Sequence, residues 1–324
     1  MNLNSSKINS FLKKKNFQKY KLSPLKGDAS FRKYYRLKNL NRSFILSHTD
    51  KEKNLNIKTY EKISTILRKK KILVPKVFCS DFKKGFNLIQ DLGNKNFLNI
   101  INKSKNKFFI YKKIIFLLFR IQKINSKSFN FLPVYNFKLL KIELDLFFDW
   151  YLPGVLKIKK NKQITKLREV LLSVLKDLNC KNNTFVHRDF HVSNLMNKSN
   201  QIFLIDFQDA VKGHIAYDLA SLIDDVRIKT SFDLKKKIFN FYLTFLRKNK
   251  KFNISEFNKI FVILTVQRLF KIIGIFSRLS IRDNKKKYLK LIPYTWSILR
   301  ERLKHPIFNE ARMIIRREID PLLK

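Results

Sequence analysis

Phe185-Val186-His187-Arg188-Asp189-Phe190-His191-Val192-Ser193-Asn194 is followed, after a short polar step, by Gln201-Ile202-Phe203-Leu204-Ile205-Asp206-Phe207-Gln208-Asp209-Ala210. Asp189 and Asn194 lie five residues apart in an H-x-D-x-x-x-x-N arrangement, and Asp206 comes twelve residues after Asn194. Ile202 to Ile205 is an apolar run bounded by polar residues, which predicts a short buried strand that delivers Asp206 at its end.

The order and spacing suit phosphoryl transfer, and a kinase catalytic loop has the same arithmetic. That reaction needs positioning and charge neutralisation more than covalent help. Mg²⁺ is a hard ion that takes oxygen ligands, commonly from one or two side chains together with nucleotide phosphates. Asn194 and Asp206 supply such oxygens as metal ligands, and Asp189 stands as the catalytic residue that meets the acceptor hydroxyl. A loop whose polar side chains only cap turns does not call for spacing, order and flanking strand together.

The chain has 324 residues, enough to bury a proper core as one large domain or two lobes. Hydrophobic residues make up 45%, which excludes a disordered polyelectrolyte. The formal net charge of +46 invites a nucleic-acid reading, but the lysines are spread along the whole chain, not gathered into one arm or stripe. With Ile, Asn, Phe and Lys abundant, the charge reads as compositional bias, and no specific nucleic-acid partner is expected. Cys79 and Cys180 are the only cysteines and show no metal-ligand spacing, which points to a reducing compartment. Met1 to Lys21 lacks the apolar stretch of a signal peptide. The runs Ile114 to Phe119 and Ile260 to Leu264 are too short to span a bilayer, so a cytoplasmic protein is expected.

Ile8 to Leu12 reads as a weak amphipathic start. Gly27-Asp28-Ala29-Ser30-Phe31-Arg32 then makes a small-residue turn feeding an aromatic-rich strand, and Ser43 to Leu46 makes a second strand. Backbone amides in that turn could approach phosphates closely, though alone it reads as an ordinary hairpin. Leu55 to Arg68 has helical spacing at Ile57, Tyr60, Ile63 and Leu67, and Pro75 is expected to stop it. Val77 to Ser80 and Phe86 to Gln90 predict a hairpin around Lys83-Lys84-Gly85. Gln90-Asp91-Leu92-Gly93 breaks the sheet where a hinge would lie, with backbone at Gln90 and Leu92 available to an adenine edge. Phe108 to Ile124, Ile164 to Leu178, Ala216 to Ile228, Leu234 to Leu246, Phe257 to Leu279 and Tyr288 to Leu303 read as amphipathic helices. The fold class is therefore α+β, with a β-rich nucleotide-binding lobe over residues 1–92 and a helical lobe over 93–324 that carries the catalytic loop and acceptor pocket.

His187 to Asn194 and Ile205 to Ala210 resemble the aminoglycoside/choline phosphotransferase branch of the protein-kinase-like fold. Gly27 to Arg32, Asp149-Trp150-Tyr151-Leu152, Ala216 to Leu222 and Gln267 to Phe276 are similar, more narrowly, to the anomeric sugar kinases of cell-wall recycling. The resemblance runs from Gly27 to about Leu303. It implies a two-lobed enzyme that uses ATP and Mg²⁺ to phosphorylate the anomeric hydroxyl of N-acetylmuramate or N-acetylglucosamine. Choline, homoserine, an aminoglycoside or another sugar are alternative acceptors of the same chemistry, and a non-catalytic basic binding protein is the alternative from another class. Only about ten residues separate Asp206 from the next helix, with no Ala-Pro-Glu segment, so a peptide acceptor is excluded.

Kinases usually carry a lysine on the third strand. Ser43 to His48 has none. Arg32 is the expected substitute, with Lys33 or Lys53 as alternatives and Glu61 or Glu52 as the orienting acid. His187 and His191 are read as loop support, and Asp218 as a buried carboxylate tying its helix to the catalytic loop. Asp209 either influences the metal or caps a turn. Glu143, Asp149, Trp150 and Tyr151 are expected in the wall of the acceptor pocket, where carboxylates accept sugar hydroxyls and an aromatic face packs on a pyranose. The alternative for Trp150 is packing in a helix junction. Sequence does not choose the oligomeric state.

Overall fold

Runs rich in aromatic and branched residues build an antiparallel sheet near the N-terminus. The computed structural model describes residues 3–25, 32–40, 42–49, 55–178, 182–248, 250 and 252–323. Strands β1 (Lys21–Leu25), β2 (Lys33–Asn39), β3 (Arg42–His48), β4 (Val77–Asp81) and β5 (Phe86–Gln90) run in the order β1-β2-β3-β5-β4. Helix α1 (Leu3–Lys14) lays Ile8, Phe11 and Leu12, an i, i+3, i+4 set, onto Leu37, Leu46, Phe86 and Leu88 of that sheet. Phe11 stacks on Phe86 at 4.8 Å. The weak amphipathic start is thus part of a core. Helix α2 (Leu55–Lys69) buries Ile57, Tyr60, Ile63 and Leu67, the four positions its periodicity marks. It stops at Lys71, whose φ of 56° is left-handed, before Pro75 is reached. Strand β1, with Pro24 tolerated at the sheet edge, is an element that sequence reading passed over.

The chain separates into two units, Met1–Ile100 with Ser193–Asp209, and Ile101–Val192 with Ala210–Lys324. The expected division at residue 92 differs in two respects: the first unit runs on to Ile100, and residues 193–209 pack with it. They form the hairpin of β7 (Leu195–Lys198) and β8 (Gln201–Leu204), whose two connecting residues, Ser199 and Asn200, both have positive φ (51° and 59°). That conformation matches the twist of a two-residue hairpin. The Asn197 N–H donates to the Lys95 carbonyl (2.7 Å) and the Leu204 N–H to the Leu73 carbonyl (2.9 Å), joining the hairpin to segments far away in sequence.

The second unit is helical. Its elements are α3 (Phe97–Lys103), which begins in the first unit, then α4 (Lys107–Gln122), α5 (Phe137–Leu146), a π-helical turn Phe147–Tyr151 and the short α6 (Leu152–Gly154). They continue with α7 (Lys162–Lys176), the pair β6 (Thr184–Val186) and β9 (Val211–Gly213), α8 (Ala216–Ile223) and α9 (Phe232–Leu246). Last come α10 (Ile254–Arg282), α11 (Ile292–Arg302) and α12 (Asn309–Glu318). Asn106, Asn136, Asn161 and Asn253 cap α4, α5, α7 and α10 by accepting a backbone N–H. Part of the asparagine excess thereby fixes where helices start.

Helix α10 organises this unit. At 29 residues it is long and apolar enough to cross a membrane, which corrects the reading of Ile260 to Leu264 as a short apolar run. Yet 94% of its most apolar window is buried inside the protein, against α5, the π turn, α8 and α11. It is a core helix. Gly274 lets it approach so closely that a Cβ there would lie 2.6 Å from the Leu146 carbonyl oxygen and from the Phe147 nitrogen. Gly274→Ala is expected to lower stability by about 1–3 kcal/mol through overpacking against backbone. Urea unfolding followed by far-UV circular dichroism measures this, and an unchanged midpoint would mean that the two helices can separate without cost.

Candidate active site

In the second unit, strand β6 drives Phe185 and Val186 into the core, and the chain emerges at His187 into a loop held by hydrogen bonds. Asp218, in the first turn of α8, accepts from the backbone N–H of His187 at 2.7 Å and of Arg188 at 3.0 Å. Between them these bonds hold Arg188 at φ 72°, in the left-handed region that a side chain of this size rarely enters. The His191 N–H then closes on the Asp189 carbonyl at 2.9 Å, and the Asp189 N–H reaches His187 Nδ1 at 3.3 Å. The His187 ring sets its edge against Phe190. Asp189 itself is exposed, although protein surrounds it closely.

Electrostatics separate Asp189 of this loop from Asp218 of α8. Burial pushes the Asp218 carboxyl up from 3.8 to about 6, against the pull of its two backbone donors. A folded-state value above the unfolded one means that the native protein binds this proton more tightly. Asp218 therefore contributes stability that declines as pH rises from about 4 to about 6. For Asp189 burial also acts upward, but the cations of Lys271, Arg268 and Arg227 win and hold the carboxyl well below the usual range. His191 is buried, and burial with the Arg227 charge lowers it to about 3, so its imidazole is neutral near pH 7.

In the first unit, the Ile205 N–H donates to the Asn194 carbonyl at 3.1 Å, directly beyond the Leu195–Leu204 pair. Asn194 and Asp206 thus flank the same end of the β7–β8 hairpin. Asp206 has φ 64°, a conformation that aspartate tolerates better than most residues. Phe207, fully buried and stacked on Tyr60 at 4.4 Å, anchors the chain just past it. The Asp206 carboxylate accepts from Gln208 Nε2 at 2.9 Å and faces Arg32 at 3.5 Å, and its side chain stays 42% exposed. Asp209 shares both partners, with Arg32 at 3.5 Å and Gln208 at 3.0 Å. A half-open carboxylate at the hairpin end that also carries Asn194 offers oxygen donors of the kind Mg²⁺ takes. Among the described residues no group of three or more His, Cys, Asp or Glu is placed to hold a metal ion.

Arg32 is the cation beside Asp206, with Tyr34 alongside it. Lys33 points outward, and Glu61 instead accepts a hydrogen bond from Ser80. Gly27, Asp28, Ala29, Ser30, Phe31, Glu52 and Lys53 lie outside the described residues. At the end of β5 the Gln90 N–H donates to the Lys76 carbonyl (2.8 Å), its Oε1 accepts from the Lys76 N–H (3.2 Å), and Leu92 is buried. Asp91 ties the segment down. Its carboxylate meets Arg36 at 2.7 Å, Ser43 and the Gly93 N–H, while its carbonyl accepts from Lys198 at 2.7 Å. Sequence reading did not single out Arg36 and Asp91, because 55 residues separate the partners.

The four residues expected in an acceptor wall do not share one environment. Glu143 is buried and paired with Arg188, Lys271 and Tyr135, so it faces protein. The Tyr151 hydroxyl is buried and accepts from Trp296 Nε1 at 2.9 Å, and burial pushes its pKa up to about 12. The tryptophan packed at the helix junction is Trp296. Trp150 is half-buried and Asp149 exposed, both on the π turn, a distortion frequent at functional sites.

Asp218→Asn puts an NH₂ group where an acceptor serves a backbone N–H, leaving one of the two loop amides without its partner. A drop in kcat of about 100-fold at unchanged KM for ATP is expected from the misplaced loop. Wild-type kcat in this variant would show that the clamp is dispensable.

Comparison with known proteins follows the same lines. An N-acetylmuramate/N-acetylglucosamine kinase of Pseudomonas aeruginosa is 28% identical over 276 residues, 84% of this chain and 80% of its own. One of the same name from Neisseria meningitidis is 29% identical over 285 residues, 85% and 83% of the two chains. An ADP-bound aminoglycoside phosphotransferase has a similar fold, with a TM-score of 0.64 at 14% identity over 90% of this chain and 97% of that one. A choline kinase of Streptococcus pneumoniae reaches 0.59 at 14% identity, covering 91% and 99%. The fold is the two-part, protein-kinase-like one, with a small antiparallel sheet and a larger helical portion. The model of the phosphotransferase enzyme family matches residues 21–249, and the chain belongs to that family.

Proposed function

We propose that this phosphotransferase uses ATP and Mg²⁺ to phosphorylate a sugar hydroxyl, the anomeric hydroxyl of N-acetylmuramate or N-acetylglucosamine, in the cytoplasm. The observation that carries the chemistry is Asp189, an exposed aspartate kept ionised by buried cations, five residues before Asn194. The acceptor rests on four relatives at 27–29% identity that all bear the name N-acetylmuramate/N-acetylglucosamine kinase.

Asp189 accepts the hydrogen bond of the acceptor hydroxyl and orients its oxygen. A carboxylate held this far below its usual range is a weak base, which suits a loose transition state in which the hydroxyl proton leaves late. An anomeric hydroxyl is more acidic than an ordinary alcohol and asks less of such a base. Asn194 and Asp206 hold the metal, and bound Mg²⁺ neutralises charge on the phosphates. Arg32 restrains Asp206 and Asp209 and adds positive charge at the phosphates. The cations around Asp189 disfavour a polycationic aminoglycoside.

Incubating the protein with ATP, Mg²⁺ and a panel of amino sugars, choline and aminoglycosides, with phosphorus NMR of the products, tests this. A new anomeric phosphate on an amino sugar is the expected result, and a phosphate on choline or an aminoglycoside alone would replace the proposed acceptor. Asp189→Asn is expected to lose turnover by at least about 1,000-fold while still binding ATP. Equal kcat in that variant would refute the role given to Asp189.

A further inference from the structure

Behind the catalytic loop lies a cluster of buried charges that the chemistry above does not use. Glu143 of α5 has four partners. The Arg188 guanidinium and the Tyr135 hydroxyl donate to it, Lys271 Nζ stands at 2.9 Å, and the Gln267 amide at 3.4 Å. Lys271 also reaches the Tyr217 hydroxyl at 3.3 Å, which lies 3.0 Å from the Tyr135 oxygen. Helix α10 is otherwise a carrier of apolar side chains, yet it turns Gln267 and Lys271, one turn apart, to a single carboxylate. Both are almost fully buried.

The charge count is the informative part. Glu143 with Arg188 alone would be neutral. Lys271 adds a second cation to a dry interior, which is costly unless something balances it. The residue after Arg188 is Asp189, and two cations with two carboxylates make a neutral set.

We propose that Lys271 is the positioning residue for Asp189: with Glu143 and Arg188 it forms a buried charge cluster that is balanced only when Asp189 is ionised, and that fixes the loop through the Arg188 side chain. This rests on the reading of Asp189 as the group that meets the acceptor. The other charges nearby have their own partners. Arg268 points to the Asp224 carbonyl at 3.5 Å, and Asp224 is itself held by Lys235 at 2.7 Å and Arg302 at 2.8 Å. Arg227 faces Asp225 at 3.5 Å, Asp218 serves the loop amides, and His191 is neutral. Among the described residues, Lys271 pairs with the same carboxylate as Arg188.

The test compares Lys271→Met, Lys271→Arg and Glu143→Gln by two readouts. One is a carbon-detected NMR titration of the Asp189 carboxyl in the unliganded protein, assigned by its disappearance in Asp189→Asn. The other is the pH profile of kcat. Removing the cation raises the Asp189 pKa, so in Lys271→Met the carboxyl titration and the acidic limb of kcat move up by about one to three pH units. Lys271→Arg restores both, and Glu143→Gln, which removes a negative charge, moves neither upward. Lys271→Gln replaces the methionine variant if circular dichroism shows the latter unfolded. A titration that stays in place in the neutral variants, or a kcat loss that is uniform over pH and not rescued by arginine, overturns the proposal. If the wild-type enzyme phosphorylates no amino sugar, the acceptor reading fails while the titration still decides the role of Lys271.

Discussion

The structure depends on holding one residue, Arg188, in a backbone conformation that it would not adopt alone. A left-handed non-glycine residue costs about 1–3 kcal/mol and persists only where its surroundings over-determine it. Two buried carboxylates do so here. Asp218 grips the loop by its backbone amides, and Glu143 grips the side chain that follows from them. Asp206, the second residue of the site with positive φ, is held differently, by the Phe207 anchor and the Arg32 and Gln208 contacts. Left-handed backbone thus occurs next to Asp189 and at Asp206, the two aspartates to which the proposed chemistry is assigned.

The composition explains how carboxylates are used. The chain has 24 acidic residues against 70 basic ones, so positive partners are never scarce and negative ones always are. Many of the acids sit inside: Asp91 with Arg36, Glu143 with Arg188 and Lys271, Asp224 with Lys235 and Arg302. Breaking such a buried pair by removing one member leaves an uncompensated charge and costs about 3–5 kcal/mol. Surface lysines, by contrast, are solvated and weakly coupled. The large net charge therefore says little about a binding partner, whereas the few acids mark where the chain is organised.

Helix α10 connects packing to chemistry. Its apolar residues form the centre of the helical unit, Gly274 permits close approach to α5 and the π turn, Gln267 and Lys271 reach Glu143 behind the Arg188 loop, and Arg268 reaches the Asp224 carbonyl. A helix so apolar carries buried polar groups only where they are satisfied. The position of those three residues is thus a consequence of the core as much as of the site.

Much was legible in order and spacing. His187 to Asn194, the strand before Asp206 and the periodicity of α2 are local patterns, and local patterns survive without coordinates because backbone geometry alone sets them. Helix ends were displaced by a few residues where asparagine caps and a left-handed Lys71 set the boundary. The roles of Glu143, Tyr151 and Asp91 were another matter. Each depends on a partner far along the chain: Lys271 for Glu143, Trp296 for Tyr151, Arg36 for Asp91. A carboxylate in a sequence looks the same whether it will face a sugar or a buried lysine. The sequence by itself determined the reaction class, since an Asp, an Asn and a second Asp in that order and spacing form the pattern of a phosphotransferase loop. Only the tertiary structure decided which acids face solvent and which face cations, because burial, which sets both pairing and protonation, is a property of the assembled core.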